Sequence, residues 1–147
     1  MTRSDKAKEF FAQGYSCAQS VFAAFSPDYD IPLATAAAVM AGFGGGFGKK
    51  QLTCGAVSGA VCALGCHFFD SENIKASKSN TYEKTRQFID RFAVKNESST
   101  CLDLLGVDLN TESGAKIAKE KNLFGTKCVA YVEDACTILD ELLRESD

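Results

Sequence analysis

The sequence predicts an all-α fold, an irregular helix bundle forming a single domain. Three observations predict it. Apolar residues recur at intervals of three and four, the period of a helix with one buried face. No run alternates β-branched and polar residues as a half-buried strand would. Gly14, Ser26-Pro27-Asp28 and Gly106 cut the chain into pieces of helical length. The 147 residues suffice for one hydrophobic core, and 46% hydrophobic with 24% charged residues are globular proportions. Neither a domain boundary nor an internal repeat is visible, so residues 1–147 read as one unit.

A short helix is expected over residues 6–11, ended by Gly14. A second covers 17–25, with Val21, Phe22 and Phe25 on one face. A third covers 32–40, where Pro32 takes a tolerated first-turn position. The Gly42-to-Gly48 run reads as a flexible loop. Residues 54–69 read as a central helix because they are apolar almost all round. Residues 70–79 are polar enough for a connection. A helix over 79–95 carries Phe88, Ile89 and Phe92 inward and its charges outward. A short helix over 100–105 stops at Gly106, and another turn or two is expected over 115–121. The last long helix, over 128–144, offers Val129, Val132, Ile138, Leu139 and Leu142 to the core.

The net charge of −3, with no basic cluster beyond Lys49-Lys50, argues against nucleic acid as a partner. The polar N-terminus, residues 1–11, lacks the apolar core of a secretory signal, so a cytoplasmic location is expected. In a reducing compartment, seven cysteines point to metal binding or redox chemistry rather than to a disulfide framework.

Four of the seven follow a hydroxyl residue where a helix is expected to begin: Ser16-Cys17, Thr53-Cys54, Thr100-Cys101 and Thr126-Lys127-Cys128. Ser and Thr are good N-caps, which places each cysteine in a first helical turn. The free N–H groups and the macrodipole there favour negative charge, and hence the thiolate that attacks electrophiles and binds metals. The four sites are 37, 47 and 27 residues apart, so they are not a tandem unit. In Thr53-Cys54-Gly55-Ala56-Val57-Ser58-Gly59, two glycines lie four apart on one face. Each costs a helix about 1 kcal/mol against Ala, so close approach of a neighbouring helix or a cofactor is expected beside Cys54.

The Cys54-to-Gly59 string resembles the signature of the C_GCAxxG_C_C family of bacterial and archaeal redox-active proteins. The resemblance continues through Gly14-Tyr15-Ser16-Cys17-Ala18-Gln19-Ser20-Val21 and the Gly42-to-Gly48 run. It extends to Cys101-Leu102-Asp103-Leu104-Leu105-Gly106 and Cys128-Val129-Ala130-Tyr131-Val132-Glu133-Asp134-Ala135, and so covers nearly the whole chain. The family's four cysteines map onto Cys17, Cys54, Cys101 and Cys128. Cys62, Cys66 and Cys136 fall outside its pattern. The same pattern is similar to the non-haem part of split-Soret cytochromes, where it implies an iron–sulfur cluster, 2Fe–2S in type.

Fe–S clusters are commonly held by four thiolates, and helix N-termini aimed at one would offset its negative charge. Zinc accepts the same donors, although the paired C-x-x-C knuckles of many zinc sites are absent. A third reading is thiol–disulfide chemistry between two of the four, with Cys54 as the nucleophile because Lys49 and Lys50 add to the helix-end field. A structural domain without a cofactor is the fourth. The expected function is therefore electron transfer or redox sensing through a cluster or metal, with oxidoreductase and structural alternatives. A redox partner protein is expected, and a homodimer is compatible with this reading.

Other motifs fail on inspection. Cys62-Ala63-Leu64-Gly65-Cys66-His67 is one residue longer than the haem-attachment string C-x-x-C-H. His67, the only histidine, is expected as a partner-satisfied helix-end residue. The glycine run does not match a P-loop, since Lys49 is followed by Lys50 and Phe43 replaces the first glycine. Residues 52–69 are apolar over 18 positions but contain Thr53, Ser58, three cysteines and His67. A buried core helix explains them better than membrane insertion.

Overall fold

A computed structural model describes residues 1–146. Among them there are helices and no strand; the only β feature is an isolated antiparallel bridge between Thr53 and Thr100. The fold is the expected all-α single domain.

Helix α1 (Arg3–Ala12) begins three residues before the expected start, because Thr2 and Asp5 form a reciprocal capping box. Helix α2 (Cys17–Phe25) opens on a second capping box, between Ser16 and Gln19. A 3₁₀ turn over Ser26–Tyr29, with Pro27 in it, leads to α3 (Leu33–Met40). After a further 3₁₀ turn the glycine run forms α4 (Gly44–Phe47), followed by α5 (Gly55–Phe68). The long helix α6 (Ile74–Asn96) starts within the stretch expected to be a connection. There the Ser77 hydroxyl accepts from the Asp70 N–H and donates to the Asp70 carbonyl, which ties the entry turn to the helix. Then come α7 (Cys101–Leu105), α8 (Glu112–Glu120), a π-helical turn (Phe124–Cys128) and α9 (Val129–Glu145).

Helix α5 packs against α2, α6 and α9, the central place its all-round apolar surface requires. The core is built from Phe22 and Phe25 of α2, Leu64 of α5, Phe88 and Phe92 of α6, and Leu139 and Leu142 of α9, all fully buried. Ile89 and Val129 are only partly buried. The two α5 glycines admit α2. A Cβ at Gly59 would come 2.6 Å from the Ala18 carbonyl oxygen, and one at Gly55 would come 3.3 Å from the Cys17 Cβ. No helix among the described residues is long and apolar enough to cross a membrane.

The glycine run is not a loose loop. Gly45, Gly46, Phe47, Gly48 and Lys49 all have φ between 60° and 68°, which makes a short left-handed turn. L-residues avoid this conformation by about 1–2 kcal/mol each, so three glycines in five positions are what permit it. The Gly48, Gln51 and Leu52 N–H groups bond back to the carbonyls of Gly42, Gly45 and Gly46 and close the turn.

Candidate functional site

The positioning of the four cysteines begins with two local devices. In the first, the strand-like segment after the left-handed turn runs antiparallel to the entry of α7. The Cys54 N–H donates to the Ser99 carbonyl at 2.8 Å, the Cys101 N–H to the Leu52 carbonyl at 2.6 Å and the Leu102 N–H to the Gln51 carbonyl at 3.1 Å. This clip sets Cys54 beside Cys101. In the second, the close α2–α5 packing at Gly55 brings the first turn of α2, and Cys17 with it, against the start of α5. Helix α9 packs on both α2 and α5 and carries Cys128 in from the far end of the chain.

Cys17, Cys54, Cys101 and Cys128 thereby line one cavity of about 160 Å³. Gly45, Gly46, Leu104, Phe124 and Tyr131 complete much of its wall, which is almost wholly apolar. Cys54, Cys101 and Cys128 are buried and Cys17 is partly exposed. Gly46 sits so close that a Cβ there would lie 2.9 Å from the Cys101 Cβ and 2.7 Å from the Leu52 nitrogen. Among the described residues no three His, Cys, Asp or Glu side chains are grouped tightly enough to grip a metal ion. The four sulfurs border a space instead of closing on a point.

The expectation of helix-end caps holds in full only at Cys17, where the Ser16 hydroxyl accepts from the Gln19 N–H at 3.2 Å. At α7, Thr100 is the N-cap residue but makes no side-chain cap bond. At α5 the N-cap residue is Cys54 itself, because Thr53 is held in the bridge to Thr100. Thr126 is no cap at all. It lies inside the π turn, its hydroxyl donating to the Asn122 carbonyl at 2.8 Å, and Cys128 runs straight into α9.

The expected bias toward thiolate is likewise corrected for three of the four. Burial pushes the Cys54 thiol up to about 12, although its sulfur accepts from the Ala56 and Val57 N–H groups at the helix start. Burial lifts Cys101 to about 11, with the neighbouring Cys128 adding to it and a Gln51 bond opposing it. Cys17 is raised well above the ordinary thiol range by its hydrogen bond to Cys128, by burial and by the other sulfurs. Cys128 alone is lowered, by that same bond against the cost of burial, with Lys127 helping. At Cys54 and Cys101 the cost of burial outweighs the hydrogen bonds that their sulfurs accept. Of the four, Cys128 alone leans toward the thiolate, and burial disfavours ionisation of Cys54.

The three remaining cysteines lie apart from the chamber. Cys136 is buried in the main core, while Cys62 is partly buried and Cys66 exposed on α5. The His67 Nδ1 and the Tyr29 hydroxyl are 3.0 Å apart in a hydrogen bond, the satisfied helix-end arrangement expected. Lys49 lines the chamber and Lys50 does not.

Two residues escaped the sequence reading. Buried Gln51, at φ 58°, donates from Nε2 to the Val107 carbonyl at 2.9 Å and accepts from the Leu109 N–H at 2.7 Å. It thus fastens the 107–109 segment to the clip. Nothing local distinguishes it from a surface glutamine. Tyr131 lines the chamber and donates to the Leu104 carbonyl at 2.9 Å. Its position three residues after Cys128, on the same helical face, is a signal that sequence spacing does contain.

A family model described as "Putative redox-active protein (C_GCAxxG_C_C)" matches residues 15–142, a span holding all four chamber cysteines. No curated protein and no solved structure matches the chain.

Proposed function

The chain belongs to the C_GCAxxG_C_C family, and from that premise we propose that it carries electrons, or senses redox state, through an iron–sulfur cluster held by Cys17, Cys54, Cys101 and Cys128. The observation that carries this reading is that four thiols, drawn from four separate stretches of chain, border one apolar cavity. The donor set fits such a group, since Fe–S clusters are held by cysteine thiolates, commonly four. The cradle fits as well: Gly46 leaves open a space that a single methyl group would take from Cys101. Zinc is less well served, because it needs all four sulfurs at about 2.3 Å from one point.

When bound, the cluster supplies reversible one-electron chemistry. The chain's own residues prepare for it. The Ala56 and Val57 N–H groups point at the Cys54 sulfur, a bond that stabilises negative charge on a ligand. Gln51 does the same at Cys101. The apolar wall keeps water from the sulfurs, and Lys49 sets one cation against the negative charge of four thiolates. Each of the four cysteines must give up its thiol proton on becoming a ligand.

The test is anaerobic reconstitution with ferrous iron and sulfide, followed by visible absorption and by iron and acid-labile sulfide analysis. A brown protein with matched iron and sulfide supports the reading, provided each single Cys→Ala change among the four lowers both and the Cys62→Ala/Cys66→Ala double variant lowers neither. A colourless protein with one zinc per chain, or with no metal, overturns it.

A second reading has an observation of its own. The Cys17–Cys128 contact pairs a protonated thiol with one biased toward thiolate. Two such sulfurs can form one S–S bond while two electrons and two protons pass to a disulfide of a partner protein, which becomes a dithiol. The nucleophile in this reading is Cys128 in place of Cys54.

A further inference from the structure

A second and larger cavity, of about 400 Å³, lies on the other side of the same wall. Phe43, Phe47, Thr53 and Val57 face it, whereas Gly45, Gly46, Cys54 and Gly55, interleaved with them along the chain, face the thiols. The left-handed turn and the start of α5 therefore separate the two spaces by one thickness of backbone. Met40, Val57, Val61 and Ile89 supply an apolar floor, and no charged side chain lines the groove.

Two features of the lining favour a ligand. Phe47 holds a positive φ of 68°, a conformation that bulky residues avoid, although glycines flank it on both sides. Its side chain stays 43% exposed, and its ring lies against Phe43 with centroids 4.8 Å apart. The second feature is a set of hydroxyls. Thr53, Ser58 and Thr85 line the groove and make no side-chain hydrogen bond among the described residues. By contrast, Thr81, Thr126 and Thr137 each donate to the carbonyl four residues back. Three hydroxyls without a protein partner, on an otherwise apolar lining that also carries two aromatic rings, fit a flat neutral ring that bears acceptors on its edge.

We infer that this groove is a binding site for a quinone, its ring packed on Phe43 and Phe47 and its carbonyl oxygens accepting from Ser58, Thr85 and Thr53. A neutral quinone suits the uncharged lining; a phosphate-bearing flavin does not. The site is additional to the thiol centre, and its test uses metal-free protein, so the two stand or fall separately.

The probe is duroquinone, whose fully substituted ring leaves no carbon open to addition by Cys62. The readout is the ¹³C-methyl NMR spectrum of the two methionines. Met40 lines the groove, while Met1 is 79% exposed and serves as the internal control. Duroquinone should shift Met40 saturably and leave Met1 in place. Durene, with the same ring and methyl groups but no carbonyls, should bind about fivefold or more weakly. The Ser58→Ala/Thr85→Val double variant should lower duroquinone affinity to that of durene. Phe47→Gly, which relieves the backbone, should keep the fold by circular dichroism yet lose affinity for both. No Met40 shift, equal affinity for duroquinone and durene, full affinity in Phe47→Gly, or tighter binding of flavin mononucleotide overturns the assignment.

Discussion

The Cys17 thiol is hydrogen-bonded to the Cys128 sulfur, and the bond drives their acidities in opposite directions, Cys17 upward and Cys128 downward. Both side chains line the same apolar cavity. Their contact is the place in the chamber where a thiolate forms at the least cost, because the partner thiol takes over the role of water.

That relationship predicts the course of mild oxidation. With diamide under anaerobic conditions, metal-free protein should lose two thiols first and form a Cys17–Cys128 bridge, identified by peptide mapping. Cys128→Ser should abolish the fast phase, and Cys54→Ser should leave it. A first bridge between Cys62 and Cys66, or between Cys54 and Cys101, would contradict the pairing.

The two hydroxyl residues read alike in the sequence should behave differently. Ser16→Ala removes one arm of a capping box and should cost about 1 kcal/mol of unfolding free energy. Thr126→Ala removes only a hydroxyl bonded to the carbonyl four residues back and should change stability by about 0.5 kcal/mol or less. Urea titration of both variants separates the two roles.

Gly46 and Gly65 should respond with opposite signs to alanine. At Gly46 the added methyl meets the Leu52 nitrogen at 2.7 Å in a left-handed backbone, so a loss of about 2 kcal/mol or more is expected, lowering Tm by roughly 5 °C. Gly65 lies in α5 with nothing within 4 Å of its Cβ direction, so alanine there should add about 0.5–1 kcal/mol. Thermal melts followed by circular dichroism are sufficient.

Alkaline stability should report the fully buried Cys136, which burial holds up to about 12 against an ordinary 9.0. The unfolded chain loses this proton first, so it binds fewer protons than the native state over that interval. Stability contributed by the protonated thiol is complete below about pH 9 and disappears as pH rises toward 12. Other raised thiols act in the same direction. The unfolding free energy of the native sequence should therefore fall more steeply above pH 9 than that of Cys136→Ala, by up to about 1.4 kcal/mol per pH unit. Parallel slopes would show that Cys136 titrates normally.

The helices that build the core were legible where their stripes were strong: Phe22 and Phe25, Phe88 and Phe92, Leu139 and Leu142 stand inside as their spacing requires. Boundaries were less legible. Helices α1 and α6 start earlier than apolar spacing shows, because Thr2 with Asp5, and Ser77 with Asp70, stabilise polar turns that carry no apolar signal. The glycine run reads as a flexible loop and folds as an ordered left-handed turn. A left-handed turn is chosen only when Leu52 and Gln51 close it with long hydrogen-bonded loops.

The sequence by itself determined the fold class, the central place of α5, a close approach at Gly55 and Gly59, and a set of four cysteines apart from the other three. These follow from period, size and motif, which are properties of neighbouring residues. Only the tertiary structure decided that the four line one cavity, that Cys128 rather than Cys54 leans to thiolate, and that Gln51 and Tyr131 belong to the site. Desolvation and sulfur–sulfur hydrogen bonding depend on groups far apart along the chain, and no local pattern encodes a sum over such distant partners.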